Sequence, residues 1–220
     1  LSELDDLSEL KRGELRLGLP LLGSDALFAR LFAEYRRRYP NIKVQLLEGG
    51  SLNIEQAVLS GELELGGGLQ PKDPQFAWQP FCDEPLDALL ATDHPLAGNT
   101  SVRLEELADT PFLLYQRSFV LNERLLQACQ QVGFTPREGG RSGQADFLVA
   151  LVAAGLGVVL LPRVVARALQ RPGVARLALQ APDYLRWDIV FIWRQGAYLS
   201  KAAQAWLALL REHPVSRAMP

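Results

Sequence analysis

The sequence is poor in cysteine and has almost no net charge, and each shortage excludes a class of protein. Cys82 and Cys129 are the only cysteines and lack the spacing of metal ligands, which disfavours a disulfide-stabilised secreted scaffold and predicts a reducing cytoplasm. With a formal net charge of −2, the chain itself is not expected to attract DNA or an anionic membrane. No apolar run approaches the roughly 20 residues that a membrane helix needs, and no signal-peptide pattern is present.

Residues able to perform catalysis or hold a cofactor are also scarce. His94 precedes a proline in a predicted turn and His213 lies near the carboxyl end, and neither has a Cys, Asp or Glu at ligand or triad spacing. Gly66, Gly67 and Gly68 follow a predicted strand but lack the spacing of a dinucleotide-binding loop. Close backbone packing or the close approach of a ligand explains these glycines better. These residues therefore predict that the chain is not an enzyme and that it binds neither a metal ion nor a cofactor.

The stretch Leu148–Pro162, LVALVAAGLGVVLLP, is the most informative local pattern. It predicts a buried helix, a tight turn at Gly155 and Gly157, and a fully apolar strand that Pro162 ends. Such an unbroken aliphatic strand is typical of a sheet covered on both faces by helices. Strands and helices alternate along much of the chain, which predicts an α/β fold with mainly parallel sheets.

The alternation is defined by the following predicted elements. Strands are predicted at Leu15–Leu19, Ile42–Leu47, Leu63–Gly66, Ala88–Ala91, Phe112–Tyr115, Val158–Leu161 and Trp187–Trp193. Helices are predicted from Ser24 to Tyr39, from Ser51 to before Gly61, and at Leu104–Leu107, Asn122–Val132, Val164–Leu169 and Ser200–Leu210.

Two serines stand where predicted strands give way to predicted helices. Ser24 and Ser51 would each lie beside free backbone N–H groups and the positive end of a helix dipole, an arrangement that favours anions. Ligands of open α/β sheets bind at such strand ends. The alternative is that both serines only cap their helices, and the sequence leaves it open. Ser118, Ser142 and Gln144 offer similar polar groups later in the chain.

Several stretches, in this order, resemble the effector-binding region of LysR-type transcriptional regulators. The resemblance runs from about Gly13 to Leu210 and rests on GELRLGLP, FAEYRRRYPNIKVQLLEGGS, LSGELELGG, DEPLDALLATDHPLAG, LVALVAAGLGVVLLP and WRQGAYLSKAAQAWLALL. Glu64 replaces an Asp that is common in the family's corresponding stretch. The fingerprint at Leu148–Pro162 is the most specific of these pieces.

The resemblance implies a periplasmic-binding-protein-like fold of type II, with two α/β lobes joined by two crossing strands and a small effector in the cleft. Lobe I would comprise residues 13–83 and 191–220, and lobe II residues 84–190. Residues 1–12 would end a linker helix whose amino-terminal winged helix-turn-helix domain is absent from this chain. The regulators of the family form dimers and tetramers and bind DNA only through that missing domain.

The resemblance also implies positions for the effector site. Ser51 ranks first, beside Gly50, and Gly67 follows the third strand. The turn after the first strand departs from the family, because Pro20, Leu21 and Leu22 stand where relatives often carry hydroxyl side chains. The full set of predicted effector contacts is Leu22, Ser24, Gly50, Ser51, Gly67, Arg117, Ser118, Gln144, Ala145 and Phe147. Leucines on one wall favour an aromatic or partly apolar small acid.

Two other functions compete with a regulatory domain. A secreted solute-binding protein of a transporter would have the same fold, and the leucine-rich amino-terminal stretch speaks against it. A small α/β transferase should place an acid, a base or a cofactor lysine in the cleft. Lys43, Lys72 and Lys201 fall on a predicted strand, a loop and the final helix, so nothing in the sequence favours the enzyme.

Overall fold

A computed structural model describes residues 13–213 of the protein. The strands are β1 Gly13–Pro20, β2 Ile42–Gly49, β3 Leu65–Leu69, β4 Phe76–Glu84, β5 Leu86–Ala91, β6 Ser101–Arg103, β7 Phe112–Tyr115, β8 Glu138–Ser142, β9 Val159–Pro162, β10 Val174–Gln180 and β11 Trp187–Arg194. The helices are α1 Ala29–Arg38, α2 Ser51–Leu59, α3 Val120–Gln131, α4 Ala145–Ala153, α5 Arg163–Ala168 and α6 Lys201–Glu212. A π-helical turn, Ser24–Phe28, precedes α1, and Leu104–Leu107 is a 3₁₀ turn.

The chain divides into two compact units. Of the described residues, the first unit contains 13–83 and 188–213, and the second is Glu84–Trp187. Residues 1–12, for which a linker helix was predicted, lie outside the described residues. The assignment of lobes and linker stays a prediction.

The first unit is built on a five-stranded sheet with the order β2-β1-β3-β11-β4. β1 runs parallel to β2 and to β3, because the helical segments before β2 and β3 return the chain to the starting edge. Apolar faces of α1 and α6 cover this sheet, with the hydroxyl of Tyr35 donating to the carbonyl of Ala202 at 2.9 Å. Trp206 is fully buried against Tyr35, with ring centroids 5.4 Å apart.

The three consecutive glycines on β3 are explained by close packing. A Cβ atom at Gly66 would lie 2.4 Å from a methyl group of Ile54 on α2, and one at Gly67 would lie 3.0 Å from the ring of Pro20. A Cβ at Gly68 would contact Ser51 at 3.3–3.4 Å. The glycines therefore let α2 and β1 approach β3 directly, which draws the ends of three strands together.

The second unit combines a four-stranded sheet, β6-β10-β5-β9, with the parallel pair β7 and β8. All four residues of β9 are buried, and Gly155 and Gly157 have φ values of 77° and 150°. The predicted helix, glycine turn and buried strand at Leu148–Pro162 are therefore confirmed.

The prediction of mainly parallel sheets needs a correction, because both larger sheets are mixed. β3 pairs antiparallel with β11, and β5 pairs antiparallel with β9 and β10. Parallel neighbours are usually joined directly by a helical crossover, whereas many elements lie between β3 and β11 and between β5 and its partners β9 and β10. The predicted third strand begins two residues later than expected, at Leu65.

The sequence patterns do not predict four of the observed strands, namely β4, β6, β8 and β10. β4 contains Pro80, which removes a backbone donor and normally argues against a strand. The structure places β4 at the edge of its sheet, where a proline is tolerated. Within residues 13–213, no helix has the length and apolar character required to cross a membrane.

Candidate functional site

The carboxyl ends of β1, β2 and β3 meet at one edge of the first unit. Pro20, the last residue of β1, pairs with Gly49 on one side and lies close to Gly67 on the other. The N–H of Leu21 donates to the carbonyl of Gly49 at 3.0 Å, which fixes the turn after β1. Helix α2 starts at this edge with Gly50 as its N-cap residue. The structure therefore brings Gly50 and Ser51 close to β3, but Gly67 lies within β3 and not after it, contrary to the prediction.

Ser51 has a structural contact that the sequence does not show. Its Oγ accepts a hydrogen bond from the N–H of Leu69 at 3.3 Å, and the residue is 8% exposed. Gly50, rather than Ser51, is the N-cap, so the predicted cap is wrong. The side chain turns towards β3 because Gly68 leaves room for it. A hydroxyl can accept two bonds and donate one, so this contact leaves its donor available to a ligand.

Ser24 is also not the cap of its helix. Gly23, with a φ of 78°, is the N-cap residue, and the left-handed conformation moves the helix start one residue earlier. The Ser24 hydroxyl instead donates to the carboxylate of Glu48 at 2.7 Å. An anion at Ser24 would meet this negative charge, so the neighbouring group disfavours an acid there. Leu22 is buried, with 4% of its surface exposed.

In the second unit, the register of β7 and β8 places the loops that follow these two strands side by side. These loops carry several of the predicted polar contacts. Tyr115, at the end of β7, pairs with Ser142, at the end of β8. A Cβ atom at Gly143 would contact the side-chain amide of Gln116 at 3.3 Å. The loop after β7 is a tight turn in which the N–H of Phe119 donates to the carbonyl of Gln116 at 3.1 Å. This turn carries Arg117 and Ser118 at its two central positions.

The loop after β8 leads directly into α4. The Oγ of Ser142 accepts from the N–H of Gln144 at 3.1 Å, which shapes the approach to the helix. Gln144 is the N-cap residue of α4, and its side chain makes no capping bond. Ala145 is half-buried, whereas Phe147 is 50% exposed. The predicted contacts of the second unit thus lie on two adjacent loops and on the first turn of α4.

Two residues that organise these loops are not predicted by the sequence. The buried side chain of Asn122 accepts from the N–H of Tyr115 at 3.1 Å and donates to the carbonyls of Tyr115 and Gln116 at 2.9 and 2.8 Å. Arg141 also donates to the carbonyl of Tyr115, at 2.8 Å. A polar Asn among the apolar residues at the start of α3 is the only sequence signal for this arrangement.

Arginine side chains dominate the electrostatics of the loops after β7 and β8. Hydrogen bonds from Arg141 at 3.1 and 2.6 Å hold the pKa of Glu138 below its ordinary value, and the charge of Arg117 acts in the same direction. The Glu138 carboxylate is therefore charged and paired with Arg141. Arg117 is exposed and makes no ion pair within residues 13–213, which leaves its guanidinium available to an anion.

The described part of the chain contains no group of three or more His, Cys, Asp or Glu side chains able to hold a metal ion. Cys82 and Cys129 are both buried, and burial raises the pKa of the Cys129 thiol to about 12. A thiol of this kind stays protonated at neutral pH and is a poor nucleophile. The chemistry offered by the loops is therefore that of binding through hydroxyl, amide and guanidinium donors.

Comparison with known proteins identifies the family. The LysR substrate binding domain family matches residues 8–214. The HTH-type transcriptional regulator YwbI of Bacillus subtilis (strain 168) is 36% identical over 205 residues, which cover 93% of this chain and 68% of that protein. The effector binding domain of QuiR in complex with shikimate has a TM-score of 0.83 at 18% identity, over 93% of this chain and 100% of that one. The CcmR regulatory domain of Synechocystis PCC6803 in complex with 2-PG has a TM-score of 0.83 at 23% identity, over 95% and 100%.

The fold is therefore that of type II periplasmic-binding-protein-like effector domains. The chain belongs to the LysR substrate-binding domain family. Both the resemblance to LysR-type regulators and the predicted fold class are confirmed. YwbI is named as an uncharacterised HTH-type transcriptional regulator.

Proposed function

We propose that this chain is the ligand-sensing domain of a LysR-type transcriptional regulator and that its effector is a small, partly apolar carboxylic acid. The observation that carries the proposal is the position of polar loops and helix starts at the carboxyl ends of parallel strands, in a chain of this family. The solved relatives were captured with shikimate and with 2-PG. Both ligands are small carboxylates.

In the first unit, the effector would contact Gly50, Ser51 and Gly67. The hydroxyl of Ser51 keeps a free donor while its oxygen accepts from Leu69. The first N–H groups of α2 lack partners within the helix and present a partial positive charge. An effector carboxylate at this helix start would therefore gain hydrogen bonds without requiring a buried cation.

In the second unit, the effector would contact Arg117 and Ser118 on the loop after β7, Gln144 before α4, and Ala145 and Phe147 on the first turn of α4. Arg117 would supply a forked, charged donor. The exposed ring of Phe147 would cover the apolar body of the acid. Leu22 and Ser24 complete the predicted set in the first unit, with Ser24 held by Glu48.

Signal transfer requires no covalent chemistry in this proposal. An effector that binds one arrangement of the domain more tightly than another shifts the population towards that arrangement. The shift is limited by the difference between the two affinities. We propose that a cytoplasmic dimer or tetramer of the full-length regulator transmits this shift to DNA-binding domains that lie outside this chain.

A thermal-shift screen tests the proposal. The 220-residue chain would be heated with shikimate, 2-PG and a panel of small aromatic and aliphatic acids. A ligand present at about one hundred times its Kd adds about 2.7 kcal/mol to stability, which corresponds to roughly 5–10 °C in Tm for a chain of this size. We expect at least one acid to produce such a shift in the wild type.

Two serine variants locate the binding. Ser51→Ala also loses the bond to Leu69, so its own Tm without ligand serves as the reference. We expect the ligand-induced shift to fall by more than half in Ser51→Ala and to persist in Ser60→Ala, a matched change at an exposed serine of the same unit. An unchanged shift in Ser51→Ala would place the site elsewhere, and a silent panel would contradict the proposed ligand class.

A further inference from the structure

A cavity of about 480 Å³ lies within the second unit, and none of its lining residues belongs to the loops described above. Its volume is within the range of about 300–1,000 Å³ typical of small-molecule sites. Six of its lining residues determine the chemistry of its wall, of which four are apolar and two are arginines. They are Leu89, Ala166, Leu169, Val174, Arg171 and Arg176.

The walls of this cavity follow from the strand register and from helical spacing. Leu89 on β5 pairs directly with Arg176 on β10, so the two side chains emerge on the same face of the sheet. Asp87 is two residues before Leu89 and shares that face. On α5, Arg163 and Ala166 are three residues apart and lie on one side of the helix. The cavity therefore opens between one face of the β5–β10 pair and one face of α5.

A buried ion cluster anchors these walls. The carboxylate of Asp87 is fully buried and contacts Nε of Arg163 at 3.1 Å and a terminal nitrogen of Arg176 at 2.6 Å. The loop between α5 and β10 is fixed to β5 by a hydrogen bond from the N–H of Thr92 to the carbonyl of Gly173 at 3.0 Å. Both ends of the cavity are therefore held by contacts that do not depend on a ligand.

The charge around the cavity is unbalanced. One carboxylate, Asp87, contacts the guanidinium groups of both Arg163 and Arg176. Arg171 adds a further positive charge and forms no ion pair within the part of the chain that the structure describes. No acidic side chain lines the cavity. A guanidinium has five N–H donors, so Arg176 retains donors after it has bound Asp87.

We propose that this cavity is a second binding site, for a small organic carboxylate with an apolar body. The carboxylate would lie between Arg171 and Arg176, with Arg171 free to form a bidentate pair. The apolar body would pack on Leu169 and Val174. Binding here would tie the loop after α5 to the sheet and would be independent of the strand-end loops proposed for the effector.

Methyl NMR can test this site separately from the effector site. The 220-residue chain, labelled at Leu and Val methyl groups, would be titrated with benzoate and, as a neutral control of the same shape, with benzyl alcohol. We expect benzoate to shift the methyl signals of Leu169 and Val174 and benzyl alcohol to leave them in place. Arg171→Gln should weaken the apparent Kd at these signals by about tenfold, because it removes a charged hydrogen-bond partner.

Two controls keep the result specific. Arg30→Gln removes an exposed arginine from the first unit and should leave the titration unchanged. Ser51→Ala should also leave the Leu169 and Val174 shifts unchanged, even if effector binding is lost. The proposal is overturned if benzoate does not move these signals, if Arg171→Gln binds as tightly as the wild type, or if Ser51→Ala abolishes the shifts.

Discussion

Gly157→Ala is expected to destabilise the protein by about 3–5 kcal/mol, because backbone strain and steric overlap act together. Gly157 has a φ of 150°, and a Cβ atom there would lie only 2.2 Å from the carbonyl oxygen of Pro111. The carbonyl of Pro111 cannot easily move away from such a Cβ atom, since its oxygen accepts a hydrogen bond from the N–H of Val158 at 2.8 Å. The N–H of Leu113 in turn donates to the carbonyl of Val158, also at 2.8 Å.

Gly155→Ala is the matched control for this prediction. Gly155 also has a positive φ, 77°, but nothing lies within 4 Å of a Cβ built there. Only the left-handed backbone penalty remains, about 1–2 kcal/mol. Denaturant unfolding of both variants would measure the difference. Equal midpoints for the two alanine variants would show that the contact with Pro111 does not constrain the turn.

Asp87→Asn is expected to cost about 2–3 kcal/mol, because it removes the buried charge that accepts hydrogen bonds from two partly exposed arginines. Asp87 is fully buried, whereas Arg163 and Arg176 are partly exposed and contact its two oxygens at 3.1 and 2.6 Å. The contacts join α5 and β10 to β5. Their loss should therefore loosen the second unit around the cavity.

Glu105→Gln provides the comparison for Asp87→Asn within the same unit. Glu105 pairs with Arg103 at 3.5 Å, and both side chains are well exposed to solvent. Exposed pairs of this kind contribute little to stability. Urea unfolding should therefore show a small change for Glu105→Gln and a large one for Asp87→Asn. Similar midpoints would mean that the buried cluster contributes no more than a surface pair.

Much of the fold could be predicted because the strongest patterns are local and apolar. The buried strand after Gly157 is one example, and Phe112–Tyr115 is another, with observed bounds that equal those predicted. β8 is the opposite case. Its sequence, EGGRS, has two glycines and two charged residues, and none of its residues is fully buried. It forms a strand because β7 offers a parallel partner across four residues, a long-range contact that leaves no local signal.

The candidate effector site stays a prediction, and its hydrogen bonds have no signal in the sequence. The sequence places Gly50 and Ser51 where a strand gives way to a helix, which the structure also shows, but it places Gly67 after the third strand and not within it. It does not reveal that Ser51 bonds to Leu69 or that Ser24 bonds to Glu48. Both partners are distant in sequence, 18 and 24 residues away. The local sequence therefore does not decide whether a serine near a helix start caps that helix.

Ser200, in contrast, is the N-cap residue of α6 and caps that helix with its side chain. Its Oγ accepts from the N–H of Ala203 at 3.1 Å, and it also donates to the carboxylate of Glu64 at 2.9 Å. The acidic residue that replaces the family's common Asp therefore has a structural role at the start of α6. The same residue type, in the same local pattern, thus has three different roles at positions 24, 51 and 200.

The most direct test of the proposed function is an amide NMR titration with whichever acid stabilises the protein in the thermal-shift screen. If the strand-end loops of both units contact the effector, the amide signals of Gly50, Ser51 and Gly67 should shift together with those of Arg117 and Gln144. All should follow a single saturation curve with one Kd. Shifts confined to one unit, or found only at residues away from these loops, would contradict the effector site proposed for this chain.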